Sequence, residues 1–301
     1  MTRVVFVLVP SLHLLDLAGP AQVFSTAADL GHAYPLHYVA DDADVPTAQG
    51  VRLHAGVDWP DLTPADLVVV PGWRSPRLSG RPPLSRRALD RLRAHHTAGG
   101  TVASVCSGAD VLGRAGLLDG RRCTTHHELQ DELARRYPRA HVVRDVLFVE
   151  DGRVVTSAGI ASGIDLALHL VAGGHGPAVA ARVARAMVVY ARRNGDESQA
   201  SAMLRHRAHL DDAVHRVQDL IDARFTEPLP LAALAAAAGC SERTVTRLFG
   251  RATGLTPLRY QQLLRLERAE NLIGRGVTVE AAARAVGFGD ARMLRRLRAR
   301  G

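Results

Sequence analysis

The first 190 residues alternate short apolar runs with segments whose apolar positions repeat at helical spacing. Residues 4–9 form an unbroken apolar run rich in β-branched side chains, which is typical of a buried parallel strand. Comparable runs predict strands at 36–40, 66–70, 101–105 and 154–157, with a short pair around 142–149. Between them the spacing predicts helices at 16–30, 84–96, 109–115, 162–171 and 177–190, the first beginning near Gly19 and Pro20 because proline suits a first helical turn. Strands that alternate with helices indicate a parallel sheet covered on both faces.

After residue 210 the apolar spacing is helical throughout, and one arrangement occurs twice. Residues 231–249 (LAALAAAAGCSERTVTRLF) and 278–297 (TVEAAARAVGFGDARMLRRL) each combine an apolar helix, a glycine and a second helix that carries arginines. Gly239 and Gly287 occupy the turns, where a residue without a Cβ adopts a positive φ at little cost. A long helical stretch, 257–273, separates the two units. Two helix-turn-helix units at this spacing indicate a protein that binds DNA.

The second helix of each unit presents a polar face. Ser241 and Asp290 are favourable N-caps for these two helices. The side chains predicted on the polar faces are Arg243, Thr246, Arg247, Arg292, Arg295 and Arg296. In a major groove, arginine reads guanine, and threonine can contact a base edge or a phosphate. The alternative is a solvated charged face, which we favour for Arg298 and Arg300.

The chain length of 301 residues fits two domains. The polar stretch 192–208 is the predicted linker, which leaves one domain at 1–191 and an all-α domain at 209–301. The formal charge is +8, and every basic residue is arginine. Residues 209–301 hold 15 arginines against 10 acidic residues, so the excess charge per residue is highest where phosphate contact is expected.

The three cysteines, Cys106, Cys123 and Cys240, are widely spaced and form no CxxC pair. Their spacing argues against a structural zinc site and a disulfide framework, and we expect neither a metal nor a cofactor. The N-terminal segment is typical of a first strand rather than a signal peptide, and no run approaches the ~18 apolar residues of a membrane span. These features predict a cytoplasmic protein without membrane attachment.

Cys106 directly follows the predicted strand 101–105 and precedes a predicted helix. At a helix N-terminus, the macrodipole favours the thiolate form of a cysteine. Nearby backbone N–H groups can hold an oxyanion, so the arrangement is that of a nucleophile elbow with cysteine in place of serine. The alternative for a single cysteine after a strand is packing alone, which is also our interpretation of Cys123 and Cys240.

The second half of the chain resembles the AraC/XylS family of transcriptional regulators. The shared residues are GLTP at 254–257, the linking helix RYQQLLRLERAENLI and VGF at 286–288, and the resemblance covers about 210–301. It implies two recognition helices on one rigid support, which read successive major grooves on one face of double-stranded DNA. Carried over by position, the implied DNA contacts are Arg243, Thr246, Arg247, Arg292, Arg295 and Arg296.

One feature departs from that family's pattern. After the second recognition helix the family continues with an aromatic core residue, a Gly-x-Ser-Pro and a closing helix, whereas here Arg298 occupies the aromatic position and the sequence runs to Gly301. A closing helix would cover apolar surface, and losing it removes several kcal/mol from a domain stability of about 5–15 kcal/mol. We therefore expect the second unit to be weakened, which leaves a regulator that binds DNA poorly as a further alternative.

The first 190 residues resemble the ThiJ/PfpI superfamily, also called class I glutamine amidotransferase-like, which implies a flavodoxin-like parallel sheet sandwich. The motifs that carry the resemblance are LLDLAGP around Asp16, VPG at 70–72, VCSGA at 105–109, GLLDG at 116–120, TTH at 124–126 and DGRVVTS at 151–157. By motif, the nearest enzymes are similar to isocyanide hydratases, in which an elbow cysteine is the nucleophile and an aspartate of the first loop assists. Those positions correspond to Cys106 and Asp16. Ser107 stands where the protease branch has histidine, which disfavours peptidase activity.

A domain of this kind joined to an AraC-type domain is the arrangement of the GlxA-like regulators. That resemblance implies that the first domain binds a small, often nitrogenous, metabolite and forms a homodimer, without turning over substrate. The implied ligand-pocket residues are Asp16, Gly72, Trp73, Cys106 and Ser107. The indole of Trp73 would narrow the pocket, which argues against efficient catalysis. The competing hypothesis is a cysteine-dependent hydratase or amidase with an appended DNA-binding domain.

Overall fold

A computed structural model of the chain describes residues 2–74, 78, 83–189, 193–196, 199, 205–274 and 276–299. The chain folds as two compact units, Met1–Gln199 and Ala200–Gly301. The boundary between them falls within the predicted linker 192–208, of which residues 192, 197–198 and 200–204 lie outside the described residues. Arg300, which we predict to be solvated, also lies outside them.

The first unit contains a six-stranded sheet in the order β2-β1-β5-β6-β10-β9. The strands are β1 (Val4–Val7), β2 (Leu36–Val39), β3 (Asp44–Pro46), β4 (Arg52–His54), β5 (Leu67–Val70), β6 (Thr101–Val105), β7 (Arg122–Cys123), β8 (His141–Val142), β9 (Phe148–Asp151) and β10 (Val154–Ser157). Two-stranded sheets pair β3 with β4 and β7 with β8. All four residues of β1 are fully buried, as the unbroken apolar run predicts.

The predicted parallel sheet is confirmed for five strands and wrong for one edge. Strands β2, β1, β5, β6 and β10 are mutually parallel, whereas β9 runs antiparallel to β10. The reason is the connection, because only Gly152 and Arg153 separate β9 from β10, and Gly152 has a φ of 60°. A two-residue loop joins antiparallel strands, while parallel neighbours need a long crossover.

Six α-helices are described in the first unit. They are α1 (Leu14–Asp29), α2 (Arg86–Thr97), α3 (Gly108–Arg114), α4 (Gln130–Arg136), α5 (Ser162–His175) and α6 (Pro177–Ala186), and a short 3₁₀ turn, His127–Leu129, precedes α4. Helices α1, α5 and α6 pack together, and α2 packs with α3. Sequence reasoning missed α4 and the short strands β3, β4 and β7, which are too brief to show a clear apolar period.

The predicted start of the first helix is wrong. Helix α1 begins at Leu14, so Pro20 lies inside it rather than in its first turn. The backbone N–H of Leu14 donates to Oε1 of Gln49 at 3.0 Å, which supplies an acceptor for the first turn from a distant part of the chain. Having no N–H, Pro20 leaves the carbonyl of Asp16 without the usual helical partner.

The second unit consists of helices packed around two small cores. The helices are α7 (Asp212–Arg224), α8 (Leu231–Ala238), α9 (Glu242–Thr253), α10 (Pro257–Gly274), α11 (Val279–Ala285) and α12 (Ala291–Arg298). The two predicted turn glycines, Gly239 and Gly287, have φ angles of 69° and 83°. Ser241 caps α9 by accepting from Thr244 N, and Asp290 caps α12 by accepting from Arg292 N and Met293 N. Both predicted helix-turn-helix units are therefore present.

The second helix-turn-helix unit has its own apolar core in the described chain. Leu294 and Leu297 of α12 are buried and pack with Ala282, Val286 and Phe288. That the unit is weakened relative to the first stays a prediction.

In the part of the chain that is described, no helix combines the length and apolar character needed to span a bilayer.

Gly108 tests the join between the sheet and α3. A Cβ at this position would lie 2.2 Å from the backbone oxygen of Val70, which has little freedom to move. We expect Gly108→Ala to destabilise the first unit by about 1–3 kcal/mol through overpacking. Urea unfolding followed by tryptophan fluorescence measures this unit selectively, because Trp59 and Trp73 are the two tryptophans of the chain.

Gly173→Ala is the matched control for that measurement. Gly173 lies within α5, and a Cβ there would meet nothing within 4 Å. Alanine in place of a helical glycine should therefore be neutral or stabilise by up to roughly 1 kcal/mol. Equal destabilisation by both substitutions would contradict the packing argument.

Candidate functional site

Cys106 occupies a sharp turn between β6 and α3. Its φ is 55°, a conformation that non-glycine residues adopt at a cost and that the surroundings must enforce. The backbone N–H of Cys106 donates to Ser157 O at 3.0 Å, and its carbonyl accepts from Thr125 Oγ1 at 2.7 Å. The turn places the thiol at the carboxyl ends of the parallel strands, where open α/β sheets bind ligands.

Asp16 lies in the first turn of α1 and is fully buried. Its Oδ1 accepts from the backbone N–H of Ile160 at 2.9 Å, and its carboxyl group also interacts with the Cys106 thiol. Burial raises the pKa of Asp16 to about 6, although the N–H groups of Ile160 and Gly72 and the Cys106 side chain act in the opposite direction. Oδ2 makes no hydrogen bond of ordinary geometry among the described residues.

The pairing of Asp16 with Cys106 changes the expected state of the thiol. Burial, followed by the neighbouring Asp16 carboxylate, raises the pKa of Cys106 to about 12, against a smaller lowering by the Ser107 N–H. A helix dipole contributes about 0.3–1 kcal/mol in favour of the thiolate, and burial beside a carboxylate acts in the opposite direction. That Cys106 forms a thiolate stays a prediction, and desolvation and a like charge oppose it.

The loop after β10 completes the site and was missed by sequence reasoning. A Cβ on Gly159 would lie 2.3 Å from Cys106 Cβ, so glycine is required for this approach. Ile160 has a φ of 38°, a strained conformation for a β-branched residue, and it donates the hydrogen bond that holds Asp16. The position of Gly159 directly after a buried strand is the one signal in the sequence that could have indicated this loop.

Gly72 and Ser107 lie against the pair formed by Asp16 and Cys106. A Cβ on Gly72 would be 2.5 Å from Asp16 Oδ2 and 2.7 Å from Cys106 Cβ. The buried Ser107 hydroxyl accepts from Trp73 N at 2.8 Å and donates to Trp73 O at 3.1 Å. These contacts supply a partner within the protein for the Trp73 N–H, the Trp73 carbonyl and the Ser107 hydroxyl proton.

Trp73, one of the predicted ligand-pocket residues, is half-buried. It lines a neighbouring cleft of about 760 Å³ together with Asp41, Asp42, Asp44 and Arg74, and neither Asp16 nor Cys106 lines that cleft. The structure thus brings together Asp16, Gly72, Cys106 and Ser107, while Trp73 connects them to an adjacent acidic surface.

A polar cluster lies near the thiol. The rings of His126 and His127 are 4.2 Å apart between centroids, and His126 Nδ1 is 3.7 Å from a Glu128 carboxylate oxygen. Burial and then the charge of His127 lower the pKa of His126. The charge of Glu128 contributes to the raised pKa of Cys106. Glu128 therefore belongs to the electrostatic surroundings of the thiol, a role that its sequence position does not reveal.

The predicted DNA-contacting side chains of α9 are on its solvent face. Arg243, Thr246 and Arg247 are exposed, while Val245 and Phe249 of the same helix are buried. Thr246 Oγ1 donates to the carbonyl of Glu242 at 2.9 Å, a bond within the helix. Neither arginine has an acidic partner among the described residues.

Helix α12 presents a second exposed row formed by Arg292, Arg295 and Arg296. Arg295 forms an ion pair with Glu280 at 2.5 Å, so part of its charge is neutralised within the protein. Arg298, which we predict to be solvated, is exposed and pairs with Glu270 at 2.7 Å. Among the described residues, no three or more His, Cys, Asp or Glu side chains lie together in a way that could hold a metal ion.

The fold and the two sites define a class of protein, in which an α/β unit with a cysteine on a strand-to-helix turn is joined to a tandem helix-turn-helix unit. Residues 2–173 match the DJ-1/PfpI family, and residues 234–300 match a helix-turn-helix domain. The chain belongs to the DJ-1/PfpI family and combines its α/β domain with a C-terminal helix-turn-helix domain of the AraC type. The resemblance drawn from the sequence motifs is thereby confirmed for both units.

Known proteins similar to this chain include a regulator and an enzyme. The HTH-type transcriptional regulator CdhR of Pseudomonas aeruginosa is 31% identical over 277 residues, which is 89% of this chain and 79% of the regulator. Isonitrile hydratase of Pseudomonas putida is 36% identical over 171 residues, covering 55% of this chain and 68% of the enzyme. Among solved structures, an AraC family transcriptional regulator from Pseudomonas putida aligns with a TM-score of 0.53 and 27% identity, over 62% of this chain and all of that chain.

Asp16→Asn tests the cost of burying the carboxylate. Because the folded pKa of Asp16, about 6, exceeds its ordinary value of 3.8, folding stability is lost as the pH rises through this range. Asparagine keeps an acceptor for Ile160 N but carries no charge. We expect the variant to be more stable than wild type by about 3 kcal/mol at pH 7.5, with the difference vanishing near pH 4, in urea unfolding followed by tryptophan fluorescence.

Asp42→Asn provides the control, because Asp42 is an exposed carboxylate of the same unit. Its effect should stay within about 0.5 kcal/mol at both pH values. An equal destabilisation by Asp16→Asn at both pH values would show that folding does not raise the pKa of Asp16.

Proposed function

We propose that this chain is a DNA-binding transcriptional regulator in which a small molecule, bound at Asp16 in the first unit, controls DNA binding by the second. The observation that carries the proposal is the pair of capped recognition helices, α9 and α12, whose buried faces hold them on the unit. Their outer faces expose arginines toward solvent. Helices of this kind enter adjacent major grooves about 34–36 Å apart.

The proposed DNA contacts differ in strength. Arg243, Arg247 and Arg292 are exposed and unpaired with acids in the described chain, so they meet bases or phosphates at full charge. Thr246 contributes a base or phosphate contact beside them. Arg295 must share its guanidinium with Glu280, and Arg296 touches the Met293 sulfur at 3.0 Å. We assign base reading chiefly to Arg247 and Arg296, at matching places in the two units.

The effector is proposed to be a small nitrogenous molecule. Oδ2 of Asp16 is a buried acceptor without a completed hydrogen bond among the described residues, and a ligand N–H group would supply the donor. The pKa of about 6 means that Asp16 is largely ionised at neutral pH, which suits a cationic or N–H-bearing ligand. Cys106, Gly72 and Ser107 would form the walls of the binding site.

Communication is proposed to pass through a homodimer of the first unit. Asp16 follows Leu15, which is 44% exposed, and accepts from Ile160, which is 40% exposed. A ligand that moves the Asp16 carboxyl group therefore shifts two exposed apolar side chains, which suit contact with a second copy. The effector then acts through its different affinity for two arrangements of the dimer.

The DNA-reading assignment is tested by Arg247→Ala and Arg296→Ala. Loss of a base-reading arginine should weaken specific binding by about 1–3 kcal/mol and relax sequence preference at one position. Fluorescence anisotropy on DNA from the upstream region of the gene, compared with scrambled DNA across a salt series, measures both effects. Arg298→Ala is the matched control, because that guanidinium is already paired with Glu270, and it should leave sequence preference unchanged. Unchanged affinity and preference in both test variants would exclude these two arginines as readers.

A second candidate function is hydration of isocyanides. The observation that favours it is Asp16 itself, since a carboxyl group with a pKa of about 6 beside a thiol is suited to general acid–base work near neutral pH. The pKa of about 12 for Cys106 opposes it, because very little thiolate is then present at neutral pH. We propose the sensor over the enzyme because the regulator CdhR aligns over 89% of this chain, whereas isonitrile hydratase aligns over 55% of it.

A turnover assay distinguishes the two candidates. We expect the purified protein to convert no isocyanide to formamide above the rate without protein, because Cys106 stays protonated. Chromatographic detection of the formamide provides the readout. Turnover that disappears in Cys106→Ala and falls in Asp16→Asn would replace the sensor proposal with the hydratase.

A further inference from the structure

The cores of the two helix-turn-helix units meet at one short segment, residues 225–227, which we call the hub segment. Phe225 is the C-cap residue of α7 and packs against both apolar clusters of the second unit. The first cluster includes Leu264 of α10 and the second includes Ala269, so the same long helix serves both. The placement of the two helix-turn-helix units relative to each other therefore depends on how α10 and the hub segment are joined.

Arg265 makes that join with a single guanidinium group. Its Nε donates to Phe225 O at 2.6 Å and its Nη2 to Glu227 O at 2.9 Å, both within the hub segment. Its Nη1 donates to Gly287 O at 2.8 Å, in the turn of the second helix-turn-helix unit. The guanidinium carbon also lies 5.6 Å from the ring centroid of Phe288. A planar group with fixed donor directions holds these three carbonyls in one geometry.

Neighbouring contacts support this role. Gln261, one helical turn earlier on α10, donates through Nε2 to the carbonyls of Phe225 and Glu227 at 2.9 and 2.8 Å. These carbonyls at and beyond the end of α7 lack intrahelical donors, so α10 supplies side-chain donors in their place. Gln261 fixes α10 to the hub segment. Of these two side chains, only Arg265 also reaches the second helix-turn-helix unit.

The backbone of the second turn lies directly on the hub segment. A Cβ on Gly287 would be 1.9 Å from Thr226 O and 2.7 Å from Thr226 C. Glycine is therefore needed there twice, for its φ of 83° and for close approach to Thr226. Gly287 therefore both lies against Thr226 and accepts the hydrogen bond from Arg265.

We propose that Arg265 is a positioning residue that fixes the separation and orientation of α9 and α12, and thereby the spacing between the two DNA half-sites that the protein accepts. The part that concerns DNA rests on the proposed function. Each helix-turn-helix unit keeps its own apolar core without Arg265. Loss of Arg265 should therefore weaken the connection between the two helix-turn-helix units without unfolding either of them.

The first test measures, without DNA, how rigidly the two helix-turn-helix units are held relative to each other. Nitroxide labels are attached to Arg251→Cys on α9 and Arg284→Cys on α11, both exposed positions, in a Cys240→Ser background where Cys106 and Cys123 are buried. Double electron–electron resonance gives the distance distribution between the labels. We expect one narrow distribution with Arg265 and a distribution at least about twice as broad in Arg265→Met. An unchanged width in Arg265→Met would overturn the proposal.

The second test measures half-site spacing on DNA. Selection from random duplexes with wild-type protein supplies the operator, and the Arg247→Ala and Arg296→Ala variants identify its two half-sites. One inserted base pair rotates one half-site by roughly 34–36° about the helix axis. We expect wild type to lose roughly tenfold or more in affinity on insertion of one or two base pairs, and Arg265→Met to lose less than about threefold. Equal losses would overturn the proposal.

Two variants serve as controls. Arg268→Met removes an exposed arginine from the same helix, and it should leave both the distance distribution and the spacing dependence as in wild type. Arg265→Lys keeps the charge but has no fork to reach three carbonyls, so intermediate breadth and spacing tolerance are expected if Arg265→Met fails to fold. Wild type that binds no duplex specifically would refute the proposed function, while the resonance experiment would still decide the role of Arg265.

Discussion

The buried carboxyl group of Asp16 sets the conditions for the other residues of the first unit's site. It is removed from solvent at the carboxyl ends of the strands, held by the backbone of Ile160 and placed against the thiol of Cys106. Desolvation makes its negative charge costly, and the same charge makes ionisation of the thiol costlier still. Gly72 and Gly159 follow from this arrangement, because any side chain at either position would occupy the space of the pair.

That constraint bears directly on the choice between a sensor and an enzyme. The elbow geometry at Cys106 is the one that nucleophilic cysteines use, and a known relative is an isonitrile hydratase. Here, however, the groups around the thiol suppress its ionisation, and the hydroxyl of Ser107 is bonded to the backbone of Trp73. The same fold thus presents a cysteine on a strand-to-helix turn and a buried carboxyl group side by side.

The second unit follows a different physical rule. Its two apolar cores are separate clusters, and both include residues of α10. Polar contacts supply what apolar packing does not, because the carbonyls after α7 need donors and Arg265 reaches two of them together with Gly287. The exposed arginines of α9 and α12 are separate from this internal arginine, so residues of one type have unlike surroundings in a single helical domain.

Residue spacing was enough to predict the elements with long apolar periods, the two helix-turn-helix units with their glycine turns and caps, and the strand-to-helix turn at Cys106. These features are local, so spacing and residue type are sufficient to predict them. Four features became visible only in the folded chain: the start of α1, the antiparallel edge strand β9, the approach of Gly159 and Ile160 to Asp16, and the contacts of Arg265 that join the two helix-turn-helix units. Each of these depends on groups far apart in the chain, such as Asp16 and Ile160, or on the removal of a side chain from solvent. Desolvation also opposes the thiolate that the helix dipole favours at Cys106, and burial beside a carboxylate cannot be recognised in the sequence.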